Sequence, residues 1–182
     1  MGTMLMNAGE LITLWTIRAA LVCYGAVLCS LARGDLSPRQ LHFARYLWTL
    51  GCVLFIVHMF AALHYYHHDS HAEAVAHTTE QTERVVGVRF SGGIYFNYLF
   101  AAVWLMDVLW WWIAPQQHAK RPAWQTSLIQ GYLFFIAFNS TVVFADGPIR
   151  WLGAAFCLLL ARFVFRRRTI RTLPIRSSHK PN

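Results

Sequence analysis

The stretch YLWTLGCVLFIVHMFAALHYY, residues 46–66, decides the fold. It contains no Asp, Glu, Lys or Arg, and as a helix rising about 1.5 Å per residue it is long enough to cross a hydrocarbon core about 30 Å thick. Working outward, four further apolar blocks of similar length stand at Leu11–Ala32, Gly93–Ala114, Thr126–Ala145 and Pro148–Phe165, each bounded by charges or turn residues. Of the 182 residues, 57% are hydrophobic and 13% are charged, against about 25% charged in an average soluble domain. That balance excludes a water-soluble domain, a disordered chain, a disulfide scaffold and a coiled coil. The expected fold is an all-α integral membrane protein, a bundle of about five transmembrane helices. A short outer amphipathic helix is expected between the second and third spans. Residues 1–165 then form the membrane domain, with a His-rich segment at 64–92, and residues 166–182 form a basic tail.

The net charge of +8 follows the membrane rule and not a nucleic-acid pattern. Twelve basic residues fall on one side of the predicted bundle: Arg33, Arg39, Arg45, Lys120, Arg121, Arg162 and six from Arg166 to Lys180. Arg84, Arg89 and Arg150 fall on the other side, and Arg18 lies within the first span. This bias predicts a multi-pass protein of the plasma or inner membrane with its N-terminus outside and its C-terminus cytoplasmic. The expected partners are the lipid bilayer and a homo-oligomer or larger membrane complex, with no nucleic acid. Trp110, Trp111 and Trp112, near the inner end of the third span, read as an interfacial aromatic belt.

The second span ends in a run that holds six of the nine histidines, His58, His64, His67, His68, His71 and His77, together with Asp69 and Glu73. If that helix continues past the membrane, His64, His68 and His71 differ by about 40° or less around its axis and share a face, with His67 about 60° to one side. Imidazole nitrogens and carboxylates in this arrangement suit zinc, copper or iron, and His64, His67, His68 and His71 are the candidate ligands. Ser70-x-x-Glu73 also has the form of a capping box, which predicts a separate helix from about His71 to Arg84 ending at Gly87, and a bend that brings His77 back. The string His64-Tyr65-Tyr66-His67-His68 resembles the H-x-x-H-H box of membrane di-iron desaturases and hydroxylases. Those enzymes carry several such boxes and this chain has one, so no activity is carried over from the resemblance.

Inside the spans, polar groups are costly, about 2.5–3.5 kcal/mol for a mid-bilayer charge on insertion scales, and so mark function or helix contact. Arg18, His58, Asn97 and Asn139 fall at similar depth near the outer side and suggest a vestibule opening outward. Asp107 lies deeper, toward the inner side. Hydrogen bonding between helices is the simplest role for Asn97, Asn139 and Gln130. The sequence thus frames three readings: a small membrane protein with an outward-facing metal-binding histidine cluster, a non-enzymatic accessory subunit with small residues such as Gly25, Gly131 and Gly153 at its contacts, and a transporter or channel component whose polar path runs through Arg18, His58 and Asp107.

Overall fold

The structure, a computed structural model, describes residues 7–34, 36–144, 147–148 and 150–158. Among these residues the chain forms helices α1 (Ala8–Arg33), α2 (Pro38–His67), α3 (His71–Val86), α4 (Gly93–Ile113), α5 (Pro115–Lys120) and α6 (Ala123–Phe138), with no strand. One π-helical turn, Asn139–Val143, continues α6. Residues 150–158 are helical again. Among the described residues, four helices are long and apolar enough to cross a membrane: α1, α2, α4 and the Ala123–Val143 stretch, with 26, 30, 21 and 21 residues. The protein is therefore all-helical and built as a multi-pass membrane protein. The fifth expected span, Pro148–Phe165, and the basic tail lie partly or wholly outside the described residues.

Local chemistry sets the helix ends. Asn7 and Glu10 form a capping box at the start of α1, and Ser37 and Gln40 form one at the start of α2, where Pro38 occupies the first turn. α2 begins well before Tyr46 for this reason, and most of the expected Arg33–Arg45 loop is helix. Within the expected Pro115–Gln125 loop, α5 forms a short turn of helix.

α2 stops at His67, where His68 (φ 47°) and Asp69 (φ 59°) both adopt left-handed backbone conformations. His and Asp are among the non-glycine residues that tolerate this region. Ser70 then accepts from the Glu73 amide, and α3 runs as far as Gly87, whose φ of 77° closes the helix. The separate helix after Ser70 is thus present. The continuous helix that would align His64, His68 and His71 on one face is not, because the chain turns between them.

α1 and α2 form an antiparallel hairpin; α4 lies against α2, and α6 against α4. The helical segment 150–158 completes the bundle: Phe156 fits over Gly25 of α1, and Gly153 lies against Thr141. A Cβ on either glycine would come within about 2.9 Å of these neighbours. Gly25 and Gly153 therefore serve contacts inside this chain, whereas Gly131 has nothing within 4 Å. The core is aromatic. Trp48 stacks on Tyr24 at 5.5 Å and meets Trp104 at 5.0 Å, and Phe55 and Phe100 continue the cluster along α2 and α4. Gly51 makes room for it, since a Cβ there would lie 2.9 Å from the Trp104 ring. Large apolar side chains such as Trp15, Val22, Phe60, Met106 and Leu128 point outward, as lipid-facing surfaces require.

Candidate functional site

The polar groups separate into two sites at opposite ends of the bundle, with the aromatic core between them. At the basic end, where α1 finishes and α2 begins, the centre is Asp107. It sits on α4 and is 3% exposed. Its Oδ2 accepts the Trp48 indole N–H at 3.0 Å, and its Oδ1 accepts from Nε2 of His118 at 3.2 Å and from the Arg121 guanidinium. One carboxylate thereby joins α4 to α2, to α5 and to the α5–α6 connection. Arg121 also donates through Nε to Thr126 at 3.0 Å, and His118 stacks flat on Trp111 with ring centres 4.9 Å apart. A buried carboxylate needs this kind of provision: a countercharge plus hydrogen bonds to its remaining lone pairs.

Beside this network lies an open pocket of about 630 Å³. Its polar lining comes from His42, Arg45, Asp107, His118, Arg121, Thr126 and Gln130, and its apolar wall includes Leu31, Leu41, Trp48, Trp111 and Pro115. Arg45 reaches the Trp111 carbonyl at 3.4 Å and His42 Nδ1 at 3.2 Å, and its guanidinium lies 4.0 Å from the centre of the Trp112 ring. Among the described residues, no carboxylate pairs with Arg45. Arg45 Nε and Gln130 Oε1 are both buried without a hydrogen-bond partner among the described residues.

At the histidine end, His58 lies against α1. Its Nδ1 is 2.8 Å from the Thr13 carbonyl; a carbonyl only accepts, so Nδ1 carries the proton and Nε2 keeps its lone pair. His58 and Asn97 line one cavity of about 200 Å³ with His67, Thr78, Tyr98 and Ser140. Asn139 lines a neighbouring cavity of about 420 Å³, which also touches Asn97. Arg18 belongs to neither and lies 5.3 Å from the Trp15 ring on its own helix.

The four expected metal ligands go to different partners. His64 Nδ1 meets Asp69 at 2.9 Å, His68 Nδ1 meets Glu73 at 3.2 Å, and His71 Nδ1 meets the Tyr98 hydroxyl at 3.0 Å. His67 instead faces His77, with ring centres 5.3 Å apart. The H-x-x-H-H string is thus divided among three directions. As the side chains stand, no three His, Cys, Asp or Glu among the described residues converge as a metal site requires.

His118 and the bonding role of Arg121 escaped the sequence reading, because both sit in an apparent loop. The available signal was Asp107 itself, since a mid-span carboxylate requires a cation and Lys120 and Arg121 were the next basic residues along the chain. The expected interhelical bonds of Asn97, Asn139 and Gln130 are absent among the described residues. Asn139 donates back to Phe135 on its own helix at 2.7 Å. Bridging falls to contacts such as Trp48–Asp107, Arg45–Trp111, His58–Thr13, His71–Tyr98, Trp112–Thr49 and Tyr132–Phe96. Of the expected lipid-interface belt, Trp111 is buried against His118, whereas Trp112 stays exposed while meeting the Arg45 guanidinium.

No protein-family model, curated protein or solved structure matches the chain.

Proposed function

We propose that this protein is a membrane-embedded binding protein whose pocket at the basic end takes an amphiphilic anion, a carboxylate or phosphate group carrying an apolar chain. One observation carries the reading. In a single pocket, Arg45 and Arg121 with His42 and His118 face one carboxylate, and that carboxylate is already engaged by Arg121. The Arg45 charge is left for a ligand. A guanidinium presents several donors to an oxyanion, and the buried, unpartnered Nε of Arg45 is one more to be satisfied. The Leu31, Leu41, Trp48 and Trp111 wall suits the apolar part, and about 630 Å³ lies within the usual range for small-molecule pockets.

This arrangement favours binding over conduction. Trp48, Tyr24, Trp104, Phe55 and Phe100 fill the bundle between Asp107 and the His58–Asn97 cavity, so the polar groups do not form a continuous path.

The test compares lipid nanodiscs with and without phosphatidic acid in a phosphatidylcholine background, and adds a soluble alkyl phosphate as a separate arm. Binding is followed by quenching or enhancement of the protein's tryptophan fluorescence, to which Trp48 and Trp111 in the pocket wall contribute. Phosphatidic acid or the alkyl phosphate is expected to bind, and phosphatidylcholine is not; whichever of the first two binds identifies the source. Arg45→Gln is expected to weaken binding about 10- to 100-fold, the equivalent of a charge-assisted hydrogen bond of roughly 1.5–3 kcal/mol. Wild-type binding no tighter than about 1 mM, or equal binding by Arg45→Gln, sinks the proposal.

By the positive-inside rule this pocket faces the cytoplasm. In a chain whose own cysteines are replaced by alanine, a cysteine at Glu80 is expected to react with an impermeant maleimide in intact cells. One at Lys120 is expected to react only after the membrane is opened. Identical behaviour at both sites refutes the orientation.

A further inference from the structure

We infer that the cleft at the histidine end binds an uncharged phenol, a ring hydroxyl carried on an apolar chain, which enters from the bilayer and donates its hydrogen to Nε2 of His58. The inference is independent of the anion pocket, which lies at the opposite end of the bundle. It starts from the His58 ring. With Nδ1 committed to the Thr13 carbonyl, Nε2 is the ring nitrogen left for a ligand, and in this tautomer it only accepts.

The neighbouring polar groups suit the same partner. The cavity of about 200 Å³ at His58 and the one of about 420 Å³ beside it adjoin at Thr78, Asn97 and Ser140, which line both. Thr78 and Thr82 already donate to carbonyls of their own helix, at 2.8 Å each, so their hydroxyl oxygens are left as acceptors. Asn139 donates to the Phe135 carbonyl and keeps its amide oxygen for another donor. A ligand that brings a hydrogen therefore finds several places for it. No Asp, Glu, Lys or Arg lines either cavity among the described residues, so a charged ligand would be buried without a counterion and an uncharged one is favoured.

The walls specify a ring. Phe55 lies 6.2 Å from His58, centre to centre, and Phe90, Phe96, Phe135 and Phe144 line the larger cavity. Aromatic rings pack edge-to-face or offset at such separations, and a phenolic hydroxyl is more acidic than an aliphatic one, so it donates more strongly to an imidazole. Phe96 and Phe135 are also exposed on the outside of α4 and α6, so a molecule dissolved in the bilayer reaches the larger cavity between these helices. Its hydroxyl then stands in the smaller cavity and its chain in the larger one. Gly93 brings α3 close over this cleft, since a Cβ there would lie 2.8 Å from the Thr78 methyl. α6 widens into its π-helical turn at Asn139 and Ser140, and such turns are frequent where a helix lines a functional site.

The test uses the full chain in phosphatidylcholine nanodiscs and an alkylphenol whose chain carries a photoreactive diazirine. Illumination is expected to label peptides from the walls of the two cavities, to saturation. Unlabelled para-heptylphenol should displace the probe about 10-fold more effectively than its methyl ether, which has nearly the same shape but no hydrogen to give. It should also exceed decanol, which has the hydroxyl without the ring, by about 10-fold. His58→Leu is expected to weaken probe binding about 10-fold, and His64→Ala, outside both cavities, to leave it unchanged. His58 also ties α2 to α1, so Ser140→Leu serves as a second variant: Ser140 is exposed and lines both cavities, and the larger side chain obstructs the cleft. It too should weaken binding about 10-fold, with circular dichroism verifying the fold of each variant. The inference is overturned if labelling does not saturate, or if the methyl ether or decanol competes as well as the phenol. It is also overturned if either His58→Leu or Ser140→Leu, shown to be folded, binds the probe as wild type does.

Discussion

Asp107→Leu is expected to cause the largest loss of stability of any single polar change in this protein. The leucine fills the space but leaves the Arg121 guanidinium, the His118 ring and the Trp48 indole N–H without the oxygen atoms they share. Arg121 and His118 side chains are each only 9% exposed, so water replaces the lost oxygen atoms poorly. Removing one member of a buried ion pair costs about 3–5 kcal/mol, or roughly 6–20 °C for a chain of this length. Thermal unfolding in detergent, followed by circular dichroism, measures it. Asp107→Asn should fall between wild type and Asp107→Leu, because the amide oxygen still accepts one bond while the charge is gone. The double variant Asp107→Leu/Arg121→Leu should recover part of the loss, since the orphaned charge is then absent as well. An unchanged midpoint for Asp107→Leu would reduce the network to an incidental contact.

Trp48 separates the two contributions that hold this end together. Trp48→Ala removes one of the two largest fully buried side chains among the described residues, with its stacking on Tyr24 and contact with Trp104, and should cost about 3–5 kcal/mol through lost dispersion and the cavity left behind. Trp48→Phe keeps most of the ring contacts but takes the N–H away from Asp107, an expected cost of about 1–3 kcal/mol for an unsatisfied buried acceptor. The midpoints should therefore rank alanine below phenylalanine below wild type. If Trp48→Phe matches wild type, the indole bond contributes nothing; if it matches Trp48→Ala, the bond outweighs the packing.

The all-helical, multi-pass character was legible in the sequence because insertion depends on about twenty consecutive side chains and needs no knowledge of the rest of the fold. The same holds for α3, whose ends are written locally in Ser70, Glu73 and Gly87. Asp107 could be singled out from its position in a span, because the bilayer penalises its charge wherever the neighbouring helices lie. Its partners could not be identified in this way. Trp48 is 59 residues away and Arg121 is 14, and only the crossing of α2 and α4 and the turn into α5 bring them to one carboxylate. The histidines show the same limit from the other side. Their spacing on a straight helix aligned His64, His68 and His71, but two consecutive residues in the left-handed region redirected the chain and set His67 against His77. Side chains near one another in sequence obey helical periodicity only while the helix lasts. Which element ends where it does, and what the next one packs against, is settled by contacts between distant segments, and those contacts placed Arg45, His118 and Arg121 around one pocket.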